Sequence, residues 1–320
     1  MRSRVTMVLA VVAVLLGGVL IVPAAYARLA GDDATASGGG GGGGSVAAPA
    51  PTPPPPPTLA AGPVSVNFKG EFFSWALMDR ATGKISGSKN MASTSSTESM
   101  IKSWFAADYL KRLGDKELSA SWKKAITTAI RDSNDDAANQ LYKANGGAAT
   151  IKRMTSTCKL TDTKPGKVPG YIGWWSFTEM SPRDAVRLGD CIADGTAAGQ
   201  KWTKFLLDEM SKVRGSAAAK DQKAKSGGGK WGIIDGLPAS IKAQGPVSIK
   251  NGWTPLMYDG NWHVNCLAVT GKWSLAVMLR YPQKNGLAYG AKACASVATQ
   301  LVTPQPGAAL KVPQQPLGKL

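Results

Sequence analysis

The stretch STESMIKSW, Ser96–Trp104, places a serine three residues before a lysine, Ser99 and Lys102. One helical turn brings residues at that spacing onto the same face. In acyl-transfer chemistry such a pair can serve as nucleophile and base. The pattern alone decides nothing, because Ser-x-x-Lys also begins at Ser86, Ser121 and Ser156. Context separates the four. Ser99 follows the polar run STSSTE and falls where a helix begins, near the positive end of its dipole. Ser86 lies in or just after a hairpin, Ser121 lies mid-helix, and Ser156 sits beside a cysteine at a helix end.

Reading outward from Ser99, EFFSWALMDRATGKISGS is predicted to form a hairpin turning at Ala81-Thr82-Gly83. The middle of the chain reads as helices. SMIKSWFAADYLKRLGD puts Ile101, Trp104, Phe105 and Leu110 at helical spacing. ELSASWKKAITTAI, DAANQLYKA and QKWTKFLLDEM follow the same period. SPRDAVRLGDCI opens with Ser181 as N-cap and Pro182 at the first helical position. Strands return with PVSIKNGW, WHVNCLAV and KWSLAVML, and AYGAKACASVATQL reads as a closing helix. Strands at both ends with helices between predict an α+β domain: one antiparallel sheet flanked by helices, with an inserted helical lobe. A site is expected in the cleft between sheet and lobe.

The 320-residue chain brackets this domain with segments of other character. Arg2 and Arg4 precede an apolar run, Val5 to Val22, and Ala25-Tyr26-Ala27 has the small-residue form of a cleavage site. Residues 1–27 therefore read as a signal peptide or as an N-terminal anchor, since the run is just long enough to span a bilayer. Either way the remainder is exported, secreted or held at the cytoplasmic membrane. No cysteine follows the run, which argues against a lipid-modified terminus. Residues 28–62, with seven consecutive glycines and then a proline-rich stretch, read as a spacer. The folded domain is expected over 63–302, and 303–320 as a tail.

The net charge of +17 is spread along the chain, and no nucleic-acid-binding signature accompanies it. It points to anionic surfaces such as phospholipid or cell-wall polymer, or simply to solubility. Nucleic acid is not an expected partner, and a monomer is. The four cysteines, Cys158, Cys191, Cys266 and Cys294, predict two disulfides in an oxidising compartment. Of the three possible pairings, sequence neighbours favour Cys158–Cys191 and Cys266–Cys294. With a single histidine, His263, and no Cys-x-x-Cys, neither a metal site nor a cofactor is expected. A Ser-His-Asp triad would have to use His263, and no Gly-x-Ser-x-Gly elbow is present.

Two further polar segments follow Ser99 in order. RDSNDDAANQLY makes a polar turn between helices, longer than capping requires, and SIKNGW lies on a strand. Taken singly, Ser99 could be a helix cap, Lys102 a solvated lysine, Ser133-Asn134-Asp135 a plain turn, and Asn251-Gly252 a hairpin turn. Together, Ser99-x-x-Lys102, Ser133-Asn134-Asp135 and Lys250-Asn251-Gly252 resemble the penicillin-recognising serine enzymes, most closely the class A β-lactamase-like hydrolases of the cell envelope. DAAN, Asp136–Asn139, and TEMSPRDAVRL extend the resemblance, which covers about residues 70–301.

The resemblance implies roles. Ser99 would be acylated by a β-lactam or a D-alanyl cell-wall peptide, with neutral Lys102 as base. Ser133 would relay the proton, and Lys250 and Asn251 would hold a substrate carboxylate. The backbone N–H groups of Ser99 and Trp253, beside Gly252, would form the oxyanion hole. The sequence also departs from the family. Asp135 stands where an amide is usual, and a carboxylate there favours charged Lys102. Asn251 replaces a hydroxyl residue. Only 34 residues separate Ser99 from Ser133. The Glu-x-x-Leu-Asn loop that activates the deacylating water is missing, which leaves Asp162 and Glu179 as the only acids between Cys158 and Pro182. Without a carboxylate beside the ester, acylation proceeds while hydrolysis is slow. An alternative reading is a degenerate domain that binds cell-wall fragments without turnover. In the same loop, Trp174 and Trp175 either line the cleft or plug the loop onto the domain.

Overall fold

The computed structural model describes residues 56–223 and 227–303. The apolar run 5–22 and the tail beyond Thr303 lie outside them. Among the described residues no helix is long and apolar enough to cross a membrane.

The predicted hairpin is β1 (Phe72–Asp79) and β2 (Ile85–Gly87), paired antiparallel. A short strand, β3 (Ser95–Ser96), leads into a 3-10 turn over Glu98–Ile101. The helical insert then runs α1 (Lys102–Leu113), α2 (Ala120–Arg131), α3 (Asp135–Ala144) and α4 (Ala148–Thr157). After a long loop come β4 (Glu179–Met180), which pairs β3, then α5 (Pro182–Ala193) and α6 (Gln200–Ser211). Ser181 caps α5 as its position predicts, its side chain accepting from the Asp184 N–H. Three short helices follow, α7 (Ala219–Lys223), α8 (Ile233–Gly236) and α9 (Ala239–Lys242). The chain ends in β5 (Ser248–Ile249), β6 (Gly252–Leu256), β7 (Asn261–Val269), β8 (Trp273–Pro282) and α10 (Gly286–Gln300).

Antiparallel pairing orders the sheet β2-β1-β8-β7-β5, with β6 also on β7. First and last segments of the domain thus meet at the β1–β8 pair, Phe72 opposite Arg280 through Asp79 opposite Trp273. Side chains alternate across the pleat. Ala76, Met78, Leu267, Val269, Ala276 and Met278 pack beneath the helical insert. Trp75, Leu77, Cys266, Leu275, Val277 and Leu279 pack on the other face against α8 to α10. Helix α1 runs through the middle of the insert, with Trp104, Phe105 and Leu110 fully buried as their spacing predicts.

Both disulfides form as the neighbour pairing anticipates. Cys158–Cys191 ties the end of α4 to α5, and Cys266–Cys294 ties β7 to α10. Loops of 33 and 28 residues are closed this way. In the chain-entropy account each closure stabilises by about 3–4 kcal/mol. The expected spacer boundary needs one correction. Leu59 is buried and bridges Val302, the Ala60 N–H donates to Leu301 O, and the Thr303 N–H donates to Thr58 O. The folded unit therefore takes in residues 58–60, because an apolar Leu just after the proline run packs at the end of α10.

Candidate active site

The three motifs converge. Lys102 opens α1 and is fully buried. Lys250 sits where the edge strand is interrupted between β5 and β6, and its side chain is also fully buried. Both reach the α2–α3 turn, where Ser133 adopts a left-handed φ of 55°. The Ser133 hydroxyl lies 2.9 Å from Lys250 Nζ and 3.4 Å from Lys102 Nζ. Lys102 Nζ also donates to Ser133 O at 2.5 Å and to Asp135 Oδ1 at 2.6 Å. One hydroxyl is thus held between two buried ammonium groups.

Burial pushes the Lys102 ammonium below its ordinary pKa, while Asp135, and more weakly Glu98, pull it back up. Burial pushes Lys250 much further down, and the neighbouring charge of Lys102 adds to the effect. Two cations this close and this dry favour losing one proton between them.

Over this centre lies a cleft of about 1040 Å³, lined among others by Ser99, Ser133, Asp135, Trp174, Trp253 and Tyr258. Ser99, in the 3-10 turn, is half-buried and faces this cleft. Among the described residues Lys102 donates to Ser133 and Asp135 and not to the Ser99 hydroxyl. Gly252 sets the turn against β6. A Cβ there would lie 2.8 Å from the Ser99 nitrogen and 2.6 Å from that of Met100. That close approach is the physical need for glycine in the third motif, and it places the Trp253 segment beside the Ser99 N–H.

No protein-family model matches the sequence. By overall fold, the chain is similar to a variant of the ancestral class A β-lactamase of Gram-negative bacteria, at 18% identity and TM-score 0.53, over 72% of this chain and 91% of that one. A class A β-lactamase from Mycobacterium abscessus superposes at TM-score 0.52 and 14% identity, over 73% and 93%. PBP-A does so at 0.51 and 13%, over 73% and 89%. The chain has the class A β-lactamase fold. By sequence it is 28% identical over 187 residues to LppW of Mycobacterium tuberculosis and of Mycobacterium bovis, provisionally named a lipoprotein. The match takes in 58% of this chain, which spans about half the length, 54%, of those relatives.

Within this β-lactamase fold, Asn251 and the two loop acids are each engaged by other groups of the protein. The Asn251 amide donates to Gly229 O at 3.0 Å and Trp231 O at 2.8 Å. Both of its donors tie down the 229–231 segment. Neither loop acid lines the cleft. Asp162 is clamped by Arg183 at 2.7 and 3.0 Å and by Ser181 at 2.6 Å. Glu179 accepts from Thr94 Oγ1 and pairs with Lys164. The carboxyls that do line the cleft are Glu98, Asp132 and Asp135, and Asp132 is held by Arg214.

Both tryptophans line the cleft, and Trp175 also packs the loop onto the core. Trp175 stacks edge-on against Phe105 and donates to Asn139 Oδ1, with Lys102 Nζ 5.4 Å from its ring centre. Trp174 is 60% exposed at the rim. Glu98 is the residue that sequence reasoning passed over. It is buried, with a left-handed φ of 48°, directly before Ser99. Its only signal in the sequence is a carboxylate adjoining the candidate nucleophile.

Proposed function

We propose that this chain is an exported active-site serine hydrolase of the β-lactamase and penicillin-binding type, acylated at Ser99. The observation that carries the reading is the Ser133 hydroxyl held between Lys102 and Lys250 beneath the cleft that Ser99 lines. In the first step Ser99 Oγ attacks the carbonyl carbon of a β-lactam or a D-alanyl peptide. Its proton passes to neutral Lys102, and the C–N bond breaks as Ser133 delivers a proton to the leaving nitrogen. The backbone N–H groups of Ser99 and Trp253 stabilise the developing oxyanion, each by roughly 3 kcal/mol. Lys250 receives the substrate carboxylate. Lys102 must let go of Asp135 for the step to run. The product is an acyl-Ser99 ester, and with Asp162 and Glu179 engaged elsewhere its hydrolysis is slow.

Export is supported by the two disulfides, by the basic and apolar N-terminal segment, and by the lipoprotein name of the LppW relatives. All four cysteines of this chain are paired, so attachment rests on the apolar segment or is absent after cleavage. The charge of +17 suits an anionic wall polymer or membrane surface.

The test is incubation with a fluorescent penicillin. Wild type is expected to carry a persistent covalent adduct and Ser99→Ala none. An adduct that survives Ser99→Ala, or no adduct on wild type, overturns the reading. The Lys102–Asp135 pair and the committed Asn251 amide favour one rival, a domain that binds cell-wall fragments without turnover. Equal reversible binding by wild type and Ser99→Ala, with no adduct on either, selects it.

A further inference from the structure

Behind the nucleophile turn runs a chain of hydrogen bonds that the acylation chemistry does not use. The Glu98 carboxyl meets the Ser96 hydroxyl at 2.6 Å. The same hydroxyl meets His263 Nδ1 at 2.6 Å, and His263 Nε2 meets Asp259 Oδ2 at 2.8 Å. Glu98, Ser96 and His263 are all buried, whereas the Asp259 side chain is 21% exposed in the β6–β7 turn. The chain thus begins beside Ser99 and ends at solvent.

Counting protons restricts its states. A hydroxyl has one proton, so Ser96 donates to one neighbour and accepts from the other. If Glu98 is a carboxylate, Ser96 donates to it and His263 must present N–H at Nδ1. Nε2 faces the Asp259 carboxylate, so for as long as it keeps its own proton the ring is then an imidazolium. If Glu98 holds the proton, it donates to Ser96, Ser96 donates to Nδ1, and Nε2–H donates to Asp259, leaving a neutral ring. The two arrangements contain the same protons and differ only by a shift of two of them along the chain. Burial selects the second, because it raises Glu98 to about 7 and lowers His263, so both groups prefer to be neutral.

The surroundings agree. Thr254 lies against the Glu98 carboxyl, and the nearest charges facing it are Asp135 and Lys102. Asp259, Arg280 and Glu71 face His263, with the Tyr258 ring packed on it. No cation among the described residues is hydrogen-bonded to Glu98, and burial outweighs the two hydroxyls and the more distant charge of Lys102 that favour its ionised form.

We propose that Glu98, Ser96, His263 and Asp259 form a proton relay that stores one proton behind the nucleophile and exchanges it with solvent at Asp259. Release runs in order. The Glu98 proton moves to Ser96, the Ser96 proton to Nδ1, and the Nε2 proton leaves through Asp259 to water. One proton reaches solvent, and His263 changes from its Nε2–H to its Nδ1–H tautomer. For the site, and resting on the hydrolase reading above, the stored proton keeps a negative charge away from Lys102 and so favours its neutral, basic form. Glu98 is in this sense a positioning residue rather than a catalytic one.

Because His263 is the only histidine in the chain, ¹⁵N-histidine labelling of the whole protein reports on the relay alone. Its two ring nitrogens, followed from about pH 5 to about pH 9, are expected to exchange tautomer with a midpoint near the Glu98 value of about 7. Glu98→Gln is expected to abolish that transition. Ser96→Ala, which keeps both acids and the ring, is expected to abolish it too, so the test survives a misfolded Gln variant. A wild-type signal with no tautomer change, or a transition that persists in both variants, overturns the relay. No penicillin enters the measurement, so its outcome stands apart from labelling at Ser99.

Discussion

Glu98 and Asp162 are both largely withdrawn from solvent, yet they sit in opposite electrostatic settings. Asp162, in the loop between α4 and α5, loses hydration but receives the Arg183 guanidinium and the Ser181 hydroxyl. These outweigh burial and hold its carboxyl below the usual range. Glu98, in the turn before α1, has only hydroxyls, from Ser96 and Thr254, and burial carries it up to about 7. The difference is one hydrogen-bonded cation. An acid clamped by a guanidinium stays charged and serves as a structural tie. An acid with hydroxyl neighbours alone keeps its proton near neutral pH and can exchange it. The loop where the resemblance places a catalytic carboxylate has therefore spent its acid on the fold, and the turn carries the acid free to titrate.

The largest expected effect separates the two through stability. Folding raises Glu98 from 4.5 to about 7, so between these values the folded state binds the extra proton. Stability contributed at this position then falls as pH rises across that window, by about 3 kcal/mol in all, and levels off above it. Denaturant unfolding of Glu98→Gln from about pH 4 to about pH 8 is expected to lack that slope. A wild type and variant with parallel pH profiles would show Glu98 titrating normally.

Asp162 behaves in the reverse sense. Its folded pKa is depressed, so its contribution is present above the unfolded value and is lost as pH falls through the folded one. Arg183→Ala removes the clamp and is expected to cost roughly 1–3 kcal/mol at neutral pH, by thermal or urea unfolding, with a smaller cost in acid. Penicillin labelling of Ser99 should be unchanged in this variant. A drop in labelling without a drop in stability would put the loop acid back in the chemistry.

Much of the architecture is legible in the sequence. The period of 3.6 in α1 and the strand patterns around Trp75 and Val277 marked elements that tertiary packing then kept. The cysteine spacing anticipated both bridges, and the order of Ser99, Ser133 and Lys250 anticipated the cation centre. What escaped depended on contacts between remote segments. STSSTE is a polar run, yet Ser96, Thr97 and Glu98 are buried because the β6–β7 hairpin, more than 150 residues later, closes over them. The commitment of Asn251 to Gly229 and Trp231 has the same origin. Leu59 looks like spacer because it closely follows the proline run that ends at Pro57, and only the end of α10 shows what it packs against.

The smallest effect tests how the titratable turn speaks to the base. Burial lowers the Lys102 pKa, and Asp135 and Glu98 oppose that shift, Asp135 the more strongly. Removing the Asp135 charge in Asp135→Asn leaves burial less opposed, so neutral Lys102 should appear at lower pH. The acid limb of the rate of Ser99 labelling is expected to move down by on the order of one pH unit. Asp135 is 75% exposed, so its hold on Lys102 passes partly through solvent and added salt should move the wild-type limb the same way by less. Glu98 is buried and half protonated near neutrality, so Glu98→Gln should shift the limb only where Glu98 would be ionised, above about 7. A limb that ignores Asp135→Asn but follows Glu98→Gln would make the buried acid, rather than the exposed one, the group that governs Lys102.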